Sequence, residues 1–94
     1  MTHSAEGIAV DVELPPTLVR LFPGAAPQVQ LSAANVGEAI AALNQRWPGM
    51  RDRLVDSTPR IRRNIHVFVA GERAALDTAL PAAVRMVVRT AMIG

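Results

Sequence analysis

Ala34-Asn35-Val36-Gly37-Glu38-Ala39-Ile40 opens the one stretch of this 94-residue chain that reads as a main helix. Asn35 is a good N-cap, because its side-chain oxygen accepts from a free N–H of the first turn, and Glu38 stands three residues on, as in a capping box. Val36, Ile40, Leu43 and Trp47 then recur at helical spacing on one face for about three turns, and Pro48-Gly49 closes the run. Met50 to Val55 adds a short helical turn with Met50 and Leu54 facing inward, before Asp56-Ser57-Thr58-Pro59 breaks the chain. One amphipathic helix cannot bury its own apolar face, so the flanking segments must supply a sheet.

They read as strands. Ile8 to Leu14 alternates, with Ile8, Val10, Val12 and Leu14 on one side and Ala9, Asp11 and Glu13 on the other. Pro15-Pro16 ends it, and the stretch to Pro27 is expected to be a turn-rich connection into a short strand, Gln28-Val29-Gln30-Leu31, so that the first two strands form a hairpin with an irregular loop. Asn64-Ile65-His66-Val67-Phe68-Val69 is a strand with apolar residues on both faces, expected to be central or packed on both sides, and Ala70-Gly71-Glu72 turns it. Leu76, Leu80 and Pro81 lie in an irregular stretch leading to the last strand, where Val84, Met86 and Val88 alternate with Arg85, Val87 and Arg89. The economical packing is α+β: a mixed sheet of four or five strands with one main helix on one face. Val10, Val12, Val67, Val69, Met86 and Val88 are the inward residues expected to meet Val36, Ile40, Leu43 and Trp47. Residues 1–7 are expected to be a flexible N-terminus, 8–90 the domain and 91–94 a flexible tail.

Composition narrows the function. The length allows one small domain and excludes a multidomain enzyme. Half the residues are hydrophobic, yet no segment approaches the roughly 20 apolar residues that span a bilayer, and the first seven residues lack the basic and apolar regions of a signal peptide. A cytoplasmic protein without a membrane partner is the expectation. Without cysteine there is no disulfide, thiolate metal site or thiol nucleophile. All ten basic residues are arginine, so no side-chain amine is offered as an isopeptide acceptor. A net charge of +2 does not require nucleic acid as a partner. Aromatics for base stacking are limited to Phe22, Trp47 and Phe68, so no nucleic-acid role is expected.

No side-chain constellation supplies a catalyst. His3 and His66 have no neighbouring ligand at metal spacing and read as solvent-facing or structural. Ser57, His66 and Asp56 lack the nucleophile elbow of a hydrolase. Arg60, Arg62 and Arg63 precede the strong strand, and Arg85 and Arg89 lie on the exposed side of the last one. They read either as a solvated surface or as a docking patch for an acidic partner. What remains is the end of the chain, Thr90-Ala91-Met92-Ile93-Gly94. Extended, four residues reach roughly 13 Å at about 3.3 Å each, far enough to enter another protein's active site. Glycine at the tip adds no Cβ to a narrow channel.

Taken in order, Ala34 to Ile40, Trp47-Pro48-Gly49-Met50, Arg53-Leu54-Val55-Asp56 and Val67-Phe68-Val69-Ala70-Gly71-Glu72 resemble the ubiquitin-like β-grasp sulfur carriers. These include the molybdopterin synthase small subunit, the thiamine-pathway sulfur carrier and the carrier used in one route to cysteine. The family pattern reads "gatVgeal…L…yPgl", then "L.d", then "vfvNge", and the likeness runs from about Val10 to Gly94. The block from Leu54-Val55-Asp56 to Arg62-Arg63-Asn64-Ile65-His66-Val67-Phe68-Val69 is most similar to the cysteine-pathway type. Two differences stand out: Pro81-Ala82-Ala83 replaces a turn rich in Gly and Asp, and Ile93-Gly94 stands where the family ends Gly-Gly.

The resemblance implies a ubiquitin-like β-grasp fold and a protein cosubstrate, not an enzyme. A carboxylate with a pKa near about 3.5 is ionised at neutral pH and is a poor electrophile. By resemblance, an E1-like adenylating partner uses ATP and magnesium to form an acyl-adenylate at Gly94, and a sulfide or persulfide donor displaces AMP to leave a thiocarboxylate. Ala91, Met92 and Ile93 enter that partner, Arg60, Arg62, Arg63, Arg85 and Arg89 are candidates for docking it, and a sulfur-accepting biosynthetic enzyme takes the sulfur. The carrier itself holds no cofactor and no metal. The competing expectation is a β-grasp interaction module without sulfur transfer.

Overall fold

The computed structural model of the chain describes residues 9–81 and 83–90. Among them are five strands and three helices, in the order β1 (Ala9–Glu13), α1 (Pro16–Leu21), β2 (Gln28–Ser32), α2 (Val36–Arg46), α3 (Met50–Leu54), β3 (Ile65–Val69), β4 (Glu72–Arg73) and β5 (Val84–Thr90). Ile8 and the two expected flexible ends fall outside the described residues. The sheet runs β2-β1-β5-β3-β4. β1 and β5 are parallel neighbours at its centre, with Val10 opposite Val84 and Val12 opposite Met86. β2 flanks β1 and β3 flanks β5, both antiparallel. The α+β architecture is the ubiquitin-like β-grasp, with five strands.

One face of the sheet carries Val10, Val12, Val29, Leu31, Ile65, Val67, Val69, Met86 and Val88, all buried. Val36, Ala39, Ile40 and Leu43 of α2 and Met50 and Leu54 of α3 cover them. No polar or charged residue is buried among those described, so the core holds by apolar burial alone. α2 begins as its sequence requires. Asn35 Oδ1 accepts from the Glu38 N–H at 2.8 Å, and the Glu38 carboxylate reaches back to the Ala34 N–H at 2.9 Å. The carbonyls of Thr78 and Leu76 accept from the Val36 and Gly37 N–H groups, which pins the irregular stretch before β5 onto the helix start. A Cβ at Gly37 would sit 3.3 Å from the Leu76 carbonyl oxygen, so glycine permits that close approach.

Two expectations are corrected, and of the two alternatives for β3 the first holds. The connection from Pro15 to Pro27 contains α1, which begins with Pro16 in its first turn and buries Leu18. Proline, read as a breaker, here starts a helix, since the N–H it lacks has no intrahelical partner at that position anyway. Trp47 is half-buried rather than central in the core, because α2 has ended and Trp47 is its C-cap. β3 lies inside the sheet but is buried on one face only. His66 and Phe68 on the other face are half-buried.

The β3–β4 hairpin turns through Ala70 and Gly71, at φ of 52° and 85°. Two left-handed central residues are what a type I′ hairpin demands, and alanine is costly there because its Cβ crowds the following carbonyl. Ala70→Asn, which puts a residue tolerant of that region into the turn, should stabilise the domain by about 1 kcal/mol, raising the thermal midpoint by roughly 4–8 °C. An unchanged or lowered midpoint in a thermal melt would contradict the strain at Ala70.

Candidate functional site

β5 delivers the chain to its terminal segment. Its last described residue, Thr90, pairs with Ile65, so the segment leaves from the end of the sheet where β3 begins. Ala91, Met92, Ile93 and Gly94 lie outside the described residues. At this end a cleft of about 770 Å³ is lined by Leu21 and Phe22 at the C-terminal end of α1, Pro48 and Gly49 between α2 and α3, and Arg62 and Asn64 before β3. Leu21, 51% exposed, is a large apolar side chain open to solvent there.

The face of the sheet away from α2 is the second feature. Period-two alternation, which sends Val84, Met86 and Val88 inward, turns Arg85, Val87 and Arg89 outward on β5. Register then aligns side chains from four other strands beside them. Gln28 of β2, Glu13 of β1, Val87 of β5, Phe68 of β3 and Arg73 of β4 stand in one row across the sheet. The Arg73 guanidinium lies 6.0 Å from the Phe68 ring centroid, and His66 meets the same ring edge-on at 6.3 Å between centroids. In the adjacent row Asp11 faces Arg85 and accepts from Gln30 at 3.0 Å. Arg85 also approaches Glu13 at 3.8 Å, a loose pair with side chains 59% and 39% exposed. Such a contact contributes little to stability and leaves both groups accessible.

The five candidate docking arginines do not form one patch. Arg85 and Arg89 share the open sheet face. Arg62 turns to the tail-end cleft, where its Nε donates to the Asp52 carbonyl at 2.7 Å. Arg60 lines a separate groove with Ile61 and Leu76, and Arg63 is exposed in the loop before β3. The sequence reading missed Arg73, which belongs to the sheet face, because a two-residue strand leaves no periodic signal. It also missed Leu21 and Phe22, hidden in a stretch that reads as loop.

Asp56, Ser57 and His66 serve no hydrolytic arrangement. The Asp56 carboxylate organises its own loop, accepting from the Thr58 N–H at 2.9 Å, the Arg60 N–H at 3.0 Å and the Thr58 hydroxyl. His66 is on the open sheet face against Phe68. Hydrogen bonding from Thr58, assisted by the Arg60 N–H and the charge of Arg62, holds the Asp56 pKa below its usual 3.8. A depressed carboxylate contributes stability that is present above the unfolded-state pKa and is lost as pH falls through the folded one. Asp56→Asn should therefore flatten the acid limb of the stability curve below about pH 4. Denaturant midpoints measured at neutral and acid pH would expose an error if wild type and variant lost stability in parallel. Among the described residues no three His, Asp or Glu side chains gather as a metal site, and no helix is long and apolar enough to cross a membrane.

Neither a family model nor a curated protein matches the chain. Solved structures do. A chain of the Amycolatopsis orientalis BexX/CysO complex is 27% identical and superposes with a TM-score of 0.79, over 90% of this chain and 98% of that one. CysO of Mycobacterium tuberculosis is 25% identical at a TM-score of 0.77, over 88% of this chain and 99% of its own. Small archaeal modifier protein 1 of Haloferax volcanii, at 24% identity and a TM-score of 0.77 over 92% and 100% of the two chains, shares the fold. The strand order, the helix over one sheet face and these superpositions together make the chain a ubiquitin-like β-grasp protein that resembles CysO in sequence as well as in fold.

Proposed function

We propose that the chain is a sulfur carrier whose C-terminal residue, Gly94 in this sequence, is adenylated and converted to a thiocarboxylate. The observation that carries this reading is the likeness to CysO over nearly the whole domain, at 27% identity in one case. The placement of β5 supports it: the strand that leads to the tail is locked between β1 and β3, so the domain is a rigid handle for whatever follows Thr90.

In this reading an E1-like partner binds ATP and magnesium. The Gly94 carboxylate oxygen attacks the α-phosphorus and pyrophosphate leaves. Sulfide then displaces AMP at the acyl carbon to give the thiocarboxylate directly, or a donor persulfide displaces AMP to give an acyl disulfide, which a second thiol of the donor enzyme cleaves to the thiocarboxylate and a disulfide. The activated terminus is delivered to a sulfur-accepting biosynthetic enzyme, of the cysteine type by the block from Leu54 to Val69, in the cytoplasm where ATP is at hand. The carrier contributes no catalytic side chain and no cofactor. Its own part is to dock, through Arg85 and Arg89 on the open face and Arg62 at the tail-end cleft, with Arg60 and Arg63 at the margin, while Ala91, Met92 and Ile93 thread the partner's channel. Lacking lysine and cysteine, it offers its activated terminus no side-chain amine or thiol of another copy to acylate.

The test is direct. With an E1-like enzyme of its own genome, ATP, magnesium and a sulfur donor, the intact mass should rise by the difference between one sulfur and one oxygen. A form with one further glycine after Gly94 should react faster, and Gly94→Ala should slow the reaction because a Cβ intrudes where the acyl-adenylate forms. If neither glycine form is adenylated, the second reading leads: an interaction module without sulfur transfer.

A further inference from the structure

We propose that the open sheet face pairs with the same face of a second copy of this chain, in a two-fold symmetric, face-to-face dimer. The ground for this is the row across the sheet, Gln28, Glu13, Val87, Phe68 and Arg73. Read from the Val87–Phe68 pair outward, it is apolar at the centre, acidic on one side and basic on the other. Such a row is complementary to itself. A two-fold axis parallel to the strands, passing between β5 and β3, lays β5 of one copy over β3 of the other and β1 over β4. Val87 then meets Phe68 of the other copy, and Glu13 meets Arg73 of the other copy, each contact made twice, as an isologous interface requires. A two-fold axis running across the strands would instead place Glu13 over Glu13, which like-charge repulsion disfavours.

Exposure and geometry fit this occupant. Among the described residues the ion-pair partner of Glu13 is Arg85, at 3.8 Å with the Glu13 side chain 39% exposed, so Glu13 is open to a second partner. Val87 and Phe68 are half-buried, and Phe68 is flanked by the Arg73 guanidinium and the His66 ring. Sheets stack with their strands within about 30° of each other and about 10 Å apart, a gap that the opposed Val87 and Phe68 side chains fill. Four overlapping strands, at about 4.8 Å spacing and about 3.3 Å per residue, give a footprint of roughly 300 Å² per copy, below the size of a standard specific interface. The dimer is therefore weak and exchanging. It covers Arg85 and Arg89, so on the sulfur-carrier reading the copies must separate before an adenylating partner docks. Self-pairing itself does not depend on that reading.

Sedimentation equilibrium and amide spectra of the chain alone, from micromolar to millimolar concentration, test it without any partner enzyme. Wild type should dimerise with concentration-dependent shifts at Val87 and Phe68. Glu13→Arg and Arg73→Glu, each of which sets two like charges face to face, should each weaken association about tenfold or more. An equimolar mixture of the two variants should recover wild-type association, because every opposed pair is then again of opposite sign. Arg73→Glu, on the exposed edge strand, reads the same loss if Glu13→Arg fails to fold. A wild type that stays monomeric to millimolar concentration overturns the proposal. So do variants that dimerise like wild type, or a mixture of the two folded variants that stays monomeric.

Discussion

Leu43→Ala is expected to cost the domain about 2–5 kcal/mol, because a large side chain leaves a fully enclosed site. Leu43 is 0% exposed, on the face of α2 that covers the sheet. Against a total of about 5–15 kcal/mol for a folded domain, that is enough to bring the variant close to unfolding at moderate temperature. Trp47→Ala should cost less, about 1–3 kcal/mol. Though it is the larger side chain, Trp47 packs on the core from one side only, with its Nε1 close to the backbone at Gly24: a Cβ there would lie 3.6 Å away. Urea midpoints of the two variants provide the comparison. A larger loss for Trp47→Ala than for Leu43→Ala would mean that the helix end, not its middle, anchors the sheet.

Reversing Arg85 and Arg89 together to glutamate should raise the KM for adenylation tenfold or more while leaving kcat near wild type, since both side chains stand on the face offered for docking and neither is a reacting group. The wild-type rate should also fall steeply with salt, as expected when opposite charges steer the encounter, and the variant should lose that dependence. Arg85 and Arg89 are exposed, and the only ion pair found among the described residues, Arg85 with Glu13, is a loose surface contact, so the variant should fold. An unchanged KM would move the docking surface to the cleft that holds Arg62, and Arg62→Glu would then be the variant to measure.

Several parts of the fold were legible from the residues because their causes are local. The alternation of β1, β3 and β5, the Asn35–Glu38 cap and the inward pair Met50 and Leu54 each depend on neighbours within a few positions, and each is present. The motif order pointed to the ubiquitin-like β-grasp before any pairing was visible. Phasing β3 against β5 would also have set Phe68 beside Val87, but which strands pair is not written in either segment.

That pairing is where tertiary structure took over. Parallel contact between β1 and β5 joins residues some 75 positions apart, as Val10 with Val84 shows. It is selected by how the whole apolar face closes over α2 rather than by any local preference. From it follow the row that ends in Arg73, the gathering of Arg85 and Arg89 on the open face, and their separation from Arg60, Arg62 and Arg63. Local chemistry determined what each segment is: strand, capped helix, tight turn or charged loop. Only packing decided which side chains share a surface, because a face is made by neighbours that the chain brings together across long loops. It also decided that Pro16 starts a helix, where the N–H it lacks would have no partner anyway, and that Trp47, the C-cap of α2, sits at the margin of the core.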